Sequence, residues 1–277
     1  MWPDFIFNLL PDGKENNRCL KILHEFTHKV IAERELEMEE FETVASDTVK
    51  RRMAFLDLLL ELKRKDQLTV NGVREEVDTF MFEGHDTTST GLMWALWCIG
   101  AHPEVQAKLQ QEIDQNLGDY DDPPAFLDYD KIPQLKYLEC VLKESQRLLP
   151  SVPLVGRKTT IPMTIGGVQI PPGTTVNLSM LALHRQPDVF PDPLVFDPTR
   201  FDPDNPVKRH PFSFVPFSAG LRNCIGQRFA LFEEKVVICH VLKNFNITSM
   251  QKFDELDPTM EMVLRPAHGI ILKFENR

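Results

Sequence analysis

The sequence predicts a mainly α fold with small β elements, on three observations. Apolar residues recur at three- and four-residue spacing through most of the 277 residues. Strand-like runs bounded by Gly and Pro are confined to one stretch, about 153–179, and to a closing hairpin over 260–274. A chain of 277 residues, 42% hydrophobic, is enough for one large domain or two small ones, and enough to bury a core.

Each element has its own signal. Residues 1–10 carry Trp2, Phe5, Ile6, Phe7, Leu9 and Leu10, too apolar for a solvated tail. They read as a patch parted from something larger or as a surface that touches lipid. Pro11-Asp12-Gly13-Lys14 reads as a turn, and helical patterns follow over 15–41 and 44–65, before a polar break at 66–72. The longest helical segment is expected over about 73–101. Inside its apolar surroundings sit Glu83, Gly84 and Asp86-Thr87-Thr88, a local conflict of the kind that marks function. Gly84 and the threonines are expected to weaken or bend the helix there. A helix over 103–117 opens on Pro103 and ends at Gly118, ahead of an acidic loop over 119–130; another over 134–149 ends at Pro150. In the β-rich region, strands are expected over 159–165, 168–170 and 175–179, with Gly166-Gly167 as a turn. A last helix is expected over 225–242, and a hairpin over 260–274 turning at Pro266-Ala267-His268-Gly269.

Charge and cysteine usage exclude several classes. A net charge of −10 and a pI near 5.3 argue against a nucleic-acid partner. Five cysteines, odd in number and scattered through apolar pattern, indicate reduced thiols rather than a disulfide framework. The longest apolar run, 91–101, is too short to cross a bilayer, and the start lacks the basic region of a signal peptide.

The chemistry concentrates in residues 212–226, a Pro- and Gly-punctuated loop that delivers Cys224 to a helix start. The positive end of a helix dipole stabilises a thiolate there. Gly220 and Gly226 leave the backbone open to a flat group, Phe217 offers an apolar lid, and Arg222 supplies a positive charge. No second Cys or His stands at zinc spacing. A lone thiolate in an apolar, arginine-flanked loop suits a haem iron whose macrocycle carries acidic propionates.

Phe217-x-x-Gly220-x-Arg222-x-Cys224-x-Gly226 resembles the haem-thiolate signature of the cytochrome P450 superfamily. The resemblance implies that fold and a haem cofactor with Cys224 as axial ligand to the metal. It further implies that Phe217, Arg222, Gly226 and Arg157 help to hold the haem. Residues 82–88 resemble the distal, oxygen-activating helix of that family. Asp86 and Thr87 are then the catalytic acid–threonine pair that hands protons to dioxygen. Glu144-x-x-Arg147 and Arg200 match, in order along the chain, residues that form a buried charge lock behind the haem. Glu83, one turn before Thr87, matches the glutamate of the family 4 fatty-acid hydroxylases, which is esterified to a haem methyl. Left as a free acid, it would be exposed or paired with His85.

The implied activity is haem-thiolate monooxygenation, with terminal (omega) hydroxylation of fatty acids or related lipids as the implied reaction. The implied partners are molecular oxygen, a lipid substrate, a membrane surface, NADPH-cytochrome P450 reductase, and cytochrome b5 as a further electron donor. The reductase is expected on the Cys224 side, with Arg222, Arg228 and Lys235 as contacts. The implied location is the cytosolic face of the endoplasmic reticulum membrane. The family pattern begins before Met1, so residues 1–277 are expected to be the C-terminal part of one P450 domain, lacking about one wall of the pocket. That leaves a first alternative, a non-catalytic fragment that cannot hold haem. A second, a zinc peptidase, rests on His24-Glu25-Phe26-Thr27-His28, in which two histidines one turn apart bind metal and the glutamate activates water. Lys29 beside the second histidine and the lack of a third ligand speak against it.

Overall fold

The computed structural model describes residues 3–44, 53–117 and 130–277, the side chains of 41–44 excepted. Trp2, the first part of the helix expected over 44–65, and Gly118 with nearly all of the acidic loop lie outside the described residues. The chain divides into two units, Met1–Glu83 and Gly84–Arg277.

In the first unit, α1 (Asp4–Phe7) precedes α2 (Pro11–Val44), then α3 (Phe55–Arg64) and the start of α4 (Val70–Ala101). Pro11 to Lys14 are helical rather than a turn. Proline is at home in the first helical position, where its missing N–H leaves no bond unmade. At 34 residues α2 exceeds α4, so the helix expected to be longest is not. Ile31, Leu59, Leu60 and Val73 form this unit's small core. Beside it Arg34 grips Asp57 with two bonds of 2.6 and 3.0 Å. The same carboxylate accepts from the Ala54 N–H at 3.0 Å and so caps α3.

The second unit packs the C-terminal half of α4 against α5 (Pro103–Leu117), α6 (Lys136–Leu148) and α8 (Gln227–Asn244). Its core holds Trp94, Cys98 and Ile99 from α4, Leu109 and Ile113 from α5, Leu138 and Leu142 from α6, and Ile238 and Leu242 from α8. Polar side chains fix its edges. Glu112 accepts from the Tyr137 and Leu138 N–H groups at 2.7 and 2.9 Å, satisfying the start of α6. Gln106 pairs with both backbone groups of Ile247. The five cysteines are all free; burial pushes the Cys98 and Cys239 thiols up to about 12.

Among the described residues, four antiparallel two-stranded sheets complete the unit. β1 (Leu154–Lys158) pairs with β4 (Thr175–Ser179), and β2 (Met163–Ile165) with β3 (Val168–Ile170). Of the strand expected over 159–165 only Met163–Ile165 is extended, as β2; β1 precedes the expected range, and the Thr159 hydroxyl accepts from the Thr174 N–H at 3.1 Å, closing the ribbon. A short helix, α7 (Met180–Leu183), follows β4. The closing hairpin is also re-partnered. β6 (Pro258–Met260) pairs with β7 (Leu264–Pro266), whereas β8 (Leu272–Asn276) pairs with β5 (Phe245–Ser249). Among the described residues no helix is long and apolar enough to cross a membrane.

Candidate functional site

The loop ahead of α8 is closed by its own backbone. The Cys224 N–H donates to the Phe217 carbonyl at 2.9 Å, and Asn223 to Gly220 at 3.1 Å. The chain reverses through left-handed conformations at Ser218 (φ 61°) and Gly220 (φ 80°). A Cβ at Gly220 would meet nothing within 4 Å, so open space lies beside the loop there. Cys224 is exposed and stands two residues before Gly226, the cap of α8, whose position is 3.9 Å from the cysteine sulfur when given a Cβ. Helix α8 starts at Gln227, two residues later than its apolar pattern predicts.

His184 and Arg157 hold this loop from outside. Buried His184 accepts from the Val215 N–H through Nε2 at 3.0 Å, and its ring lies 5.0 Å from that of Phe214. Burial depresses His184 to about 4, so the imidazole is neutral and free to accept at neutral pH. From β1, Arg157 Nη2 reaches Ser218 Oγ and the Arg222 carbonyl, each at 3.4 Å. A guanidinium thus lies across the loop that presents the thiol.

Behind the loop, Glu144, Arg147 and Arg200 come together. Arg147 and Glu144, both 0% exposed, make a fork of two 2.8 Å bonds. Arg147 also donates to the carbonyls of His184, Pro193 and Val195, which ties α6 to the segment leading into the loop. Arg200 Nε stands 3.4 Å from Glu144 Oε1, an ion pair without hydrogen-bond geometry, while the Asp197 N–H donates to that same oxygen at 2.9 Å. Burial raises the Glu144 carboxyl, with Arg147 pulling the other way.

On α4, Asp86 and Thr87 are half-buried and Glu83 is exposed. Glu83 ends the first unit, whereas Cys224 belongs to the second. The helix is assigned without a break through Gly84; Thr90 and Ser89 return their hydroxyls to the Asp86 carbonyl at 2.8 and 3.2 Å, local bonds that leave the helical ladder standing. The Asp86 carboxylate is ion-paired with Arg265 of β7.

Two features escape sequence reasoning. Arg265 lies 179 positions from Asp86, and no short-range pattern announces it. Glu234, 3% exposed on α8, takes one bond from Gln146 at 3.2 Å and faces Gly91 of α4, where a Cβ would fall 2.4 Å from Oε1. Burial, with Glu233 adding to it, pushes Glu234 up to about 8. A glutamate inside the apolar stripe of 225–242 is its only sequence trace.

The zinc reading finds no support in the geometry. His24 lies 3.9 Å from Asp78, a carboxylate already held by Arg74 and Thr27, and His28 is exposed. Among the described residues no three His, Cys, Asp or Glu side chains are grouped as for a metal ion. Lys235 is also corrected as a docking contact, because it is buried and bonded to Glu139 at 3.2 Å.

The family model described as Cytochrome P450 matches residues 1–274. The chain belongs to the cytochrome P450 family. It is 44% identical to human cytochrome P450 4V2 over 100% of this chain and 54% of that protein. It is 42% identical to cytochrome P450 4c3 of Drosophila melanogaster over 99% of this chain and 53% of that protein, and 40% identical to human cytochrome P450 4B1 over 98% and 53%. The chain thus spans about half the length of the curated relatives it matches. Membership implies a haem with a cysteine thiolate ligand, and the loop fits one. It offers a single exposed thiol at a helix start, open space beside Gly220, and the Arg157 guanidinium alongside.

Proposed function

We propose that this P450 chain carries the haem-thiolate centre of a monooxygenase that hydroxylates fatty acids or related lipids, with terminal (omega) attack as the preferred outcome. The observation that carries the reading is the exposed Cys224 thiol, fixed by the Cys224-to-Phe217 backbone bond at the start of α8. The lipid class comes from likeness to family 4 and from Glu83. The overall balance is one C–H bond, one O2, two electrons and two protons giving one C–OH and one water. The haem, when bound, supplies the activation of dioxygen.

The protein's part is divided among its side chains. Cys224 ligates the iron as a thiolate, and Phe217 and Gly226 leave a flat apolar approach. Arg157 and Arg222 neutralise the propionates. Glu144, Arg147 and Arg200 hold the segment behind the loop. Thr87 and Asp86 move the protons. Glu83, exposed on α4, would be the side chain that offers a carboxylate to a haem methyl for the ester link of family 4. Electrons come from NADPH-cytochrome P450 reductase, with cytochrome b5 as a further donor, docking near Arg222 and Arg228. The working location is the cytosolic face of the endoplasmic reticulum membrane.

The test is to express the chain with haem supplied, reduce it, add carbon monoxide and record the Soret band, then extract with acidified solvent. A strongly red-shifted band supports the Cys224 thiolate, and haem retained after extraction supports the Glu83 ester. No haem, or a band typical of histidine ligation, would leave a non-catalytic chain as the better reading.

A further inference from the structure

Arg265 is the partner of Asp86, and its own placement is fixed rather than incidental. It occupies the middle of β7, where Leu264 and Pro266 on either side are buried and Arg265 faces outward. Leu264 is pinned twice: its carbonyl accepts from Trp94 Nε1 at 2.8 Å, and its N–H donates to the Ser151 carbonyl at 2.9 Å. Trp94 lies on α4 about two turns beyond Asp86. The hairpin is therefore docked along α4 at two points, through Trp94 and through the ion pair. The Asp86 side chain is only 14% exposed, and the guanidinium that meets it is 48% exposed. The carboxylate end of the pair is mostly buried, and the guanidinium end reaches solvent.

We infer that Arg265 is a positioning residue for proton delivery: it fixes the direction of the Asp86 carboxylate beside Thr87 and joins that carboxylate to water at the β6–β7 hairpin. The inference rests on the reading of Asp86 and Thr87 as proton carriers. A guanidinium suits the task because its planar fork sets the orientation of a carboxylate, and because it stays charged. Lysine at 265 keeps the charge and loses the fork.

The test has two arms. In the first, urea unfolding of the haem-free chain is measured for R265M, D86N and the double variant. A true pair gives a coupling of roughly three- to fivefold in the unfolding equilibrium. No coupling would refute the inference whatever the haem does. In the second arm the haem-loaded chain is given NADPH, a flavoprotein reductase and a saturated medium-chain fatty acid. R265M is expected to keep the wild-type carbon monoxide band while peroxide released per NADPH rises roughly two- to tenfold and the solvent isotope effect on turnover changes; R265K recovers part of both. Coupling in the first arm with peroxide and isotope effect unchanged reduces the pair to a structural tie and overturns the inference alone. A wild-type chain without the thiolate band overturns the underlying reading instead.

Discussion

Replacing Arg147 by Met while leaving Glu144 in place tests whether the charge lock holds the second unit together. Both side chains are 0% exposed, so the substitution strands a carboxylate that only Arg200 Nε, at 3.4 Å and without hydrogen-bond geometry, and the Asp197 N–H can still compensate. It also removes the donors to the carbonyls of His184, Pro193 and Val195. Breaking a buried pair from one side costs about 3–5 kcal/mol, and each buried acceptor left without a donor adds roughly 1–3 kcal/mol. Those figures set a loss of at least about 3 kcal/mol, measured as the shift of the urea unfolding midpoint at constant slope. E144M/R147M should recover only the share due to the stranded carboxylate, because the His184, Pro193 and Val195 carbonyls still lack their donor and the Asp197 N–H and Arg200 lose Glu144. A loss under about 1 kcal/mol would place the pair among solvated surface bridges and refute the argument from burial.

Further outcomes can be checked independently. Glu234 supplies a pH test: its folded value is raised from 4.5 to about 8, so the folded state holds its proton where the unfolded chain has released it. Its stabilising contribution is complete below about 4.5 and falls as pH rises toward 8. E234Q should flatten the stability of the chain across that window, read by urea unfolding in a pH series, and an unchanged slope would sink the assignment. G91A drives a Cβ to 2.4 Å from Glu234 Oε1 and 3.2 Å from Ser151 Oγ, so overpacking should cost about 1–3 kcal/mol; G91A/E234A should be less destabilised than the two single losses summed. C224S should abolish the thiolate Soret band with little loss of stability, since the Cys224 side chain is exposed. R222E/R228E should slow reduction by the reductase and weaken its salt dependence, and a rate unchanged at every salt concentration would exclude this face as the dock.

Features set by neighbours in the chain were legible, and those set across it were not. Pro103 and the 3.6-residue period mark α5 from its first to its last residue. The cysteine loop is readable because Gly220 and the Cys224-to-Phe217 bond act within eight residues. Strand partners were not readable. The run 272–276 has the same local composition whether it folds back on 258–266 or reaches β5, and only the core around Ile247 decides for β5. Lys235 failed for the same reason: a lysine beside two glutamates reads as surface, and what removes it from solvent is Glu139 on α6.

The two acids of the second unit show why a partner matters more than a residue type. Asp86 and Glu234 both stand in helices amid apolar pattern, and sequence reasoning singled out only Asp86 because a threonine follows it. The structure gives Asp86 a guanidinium whose outer face is wet, and Glu234 only an amide, Gln146, and the bare backbone at Gly91. A carboxyl facing an amide in the core, as Glu234 does, is held as the neutral acid by desolvation. Exchanging the partners by Gln146→Arg should therefore draw the Glu234 carboxyl down toward the usual carboxylate range and abolish the fall in stability between pH 4.5 and 8. A fall that survives the new arginine would show that burial, rather than the missing cation, sets the state of this acid.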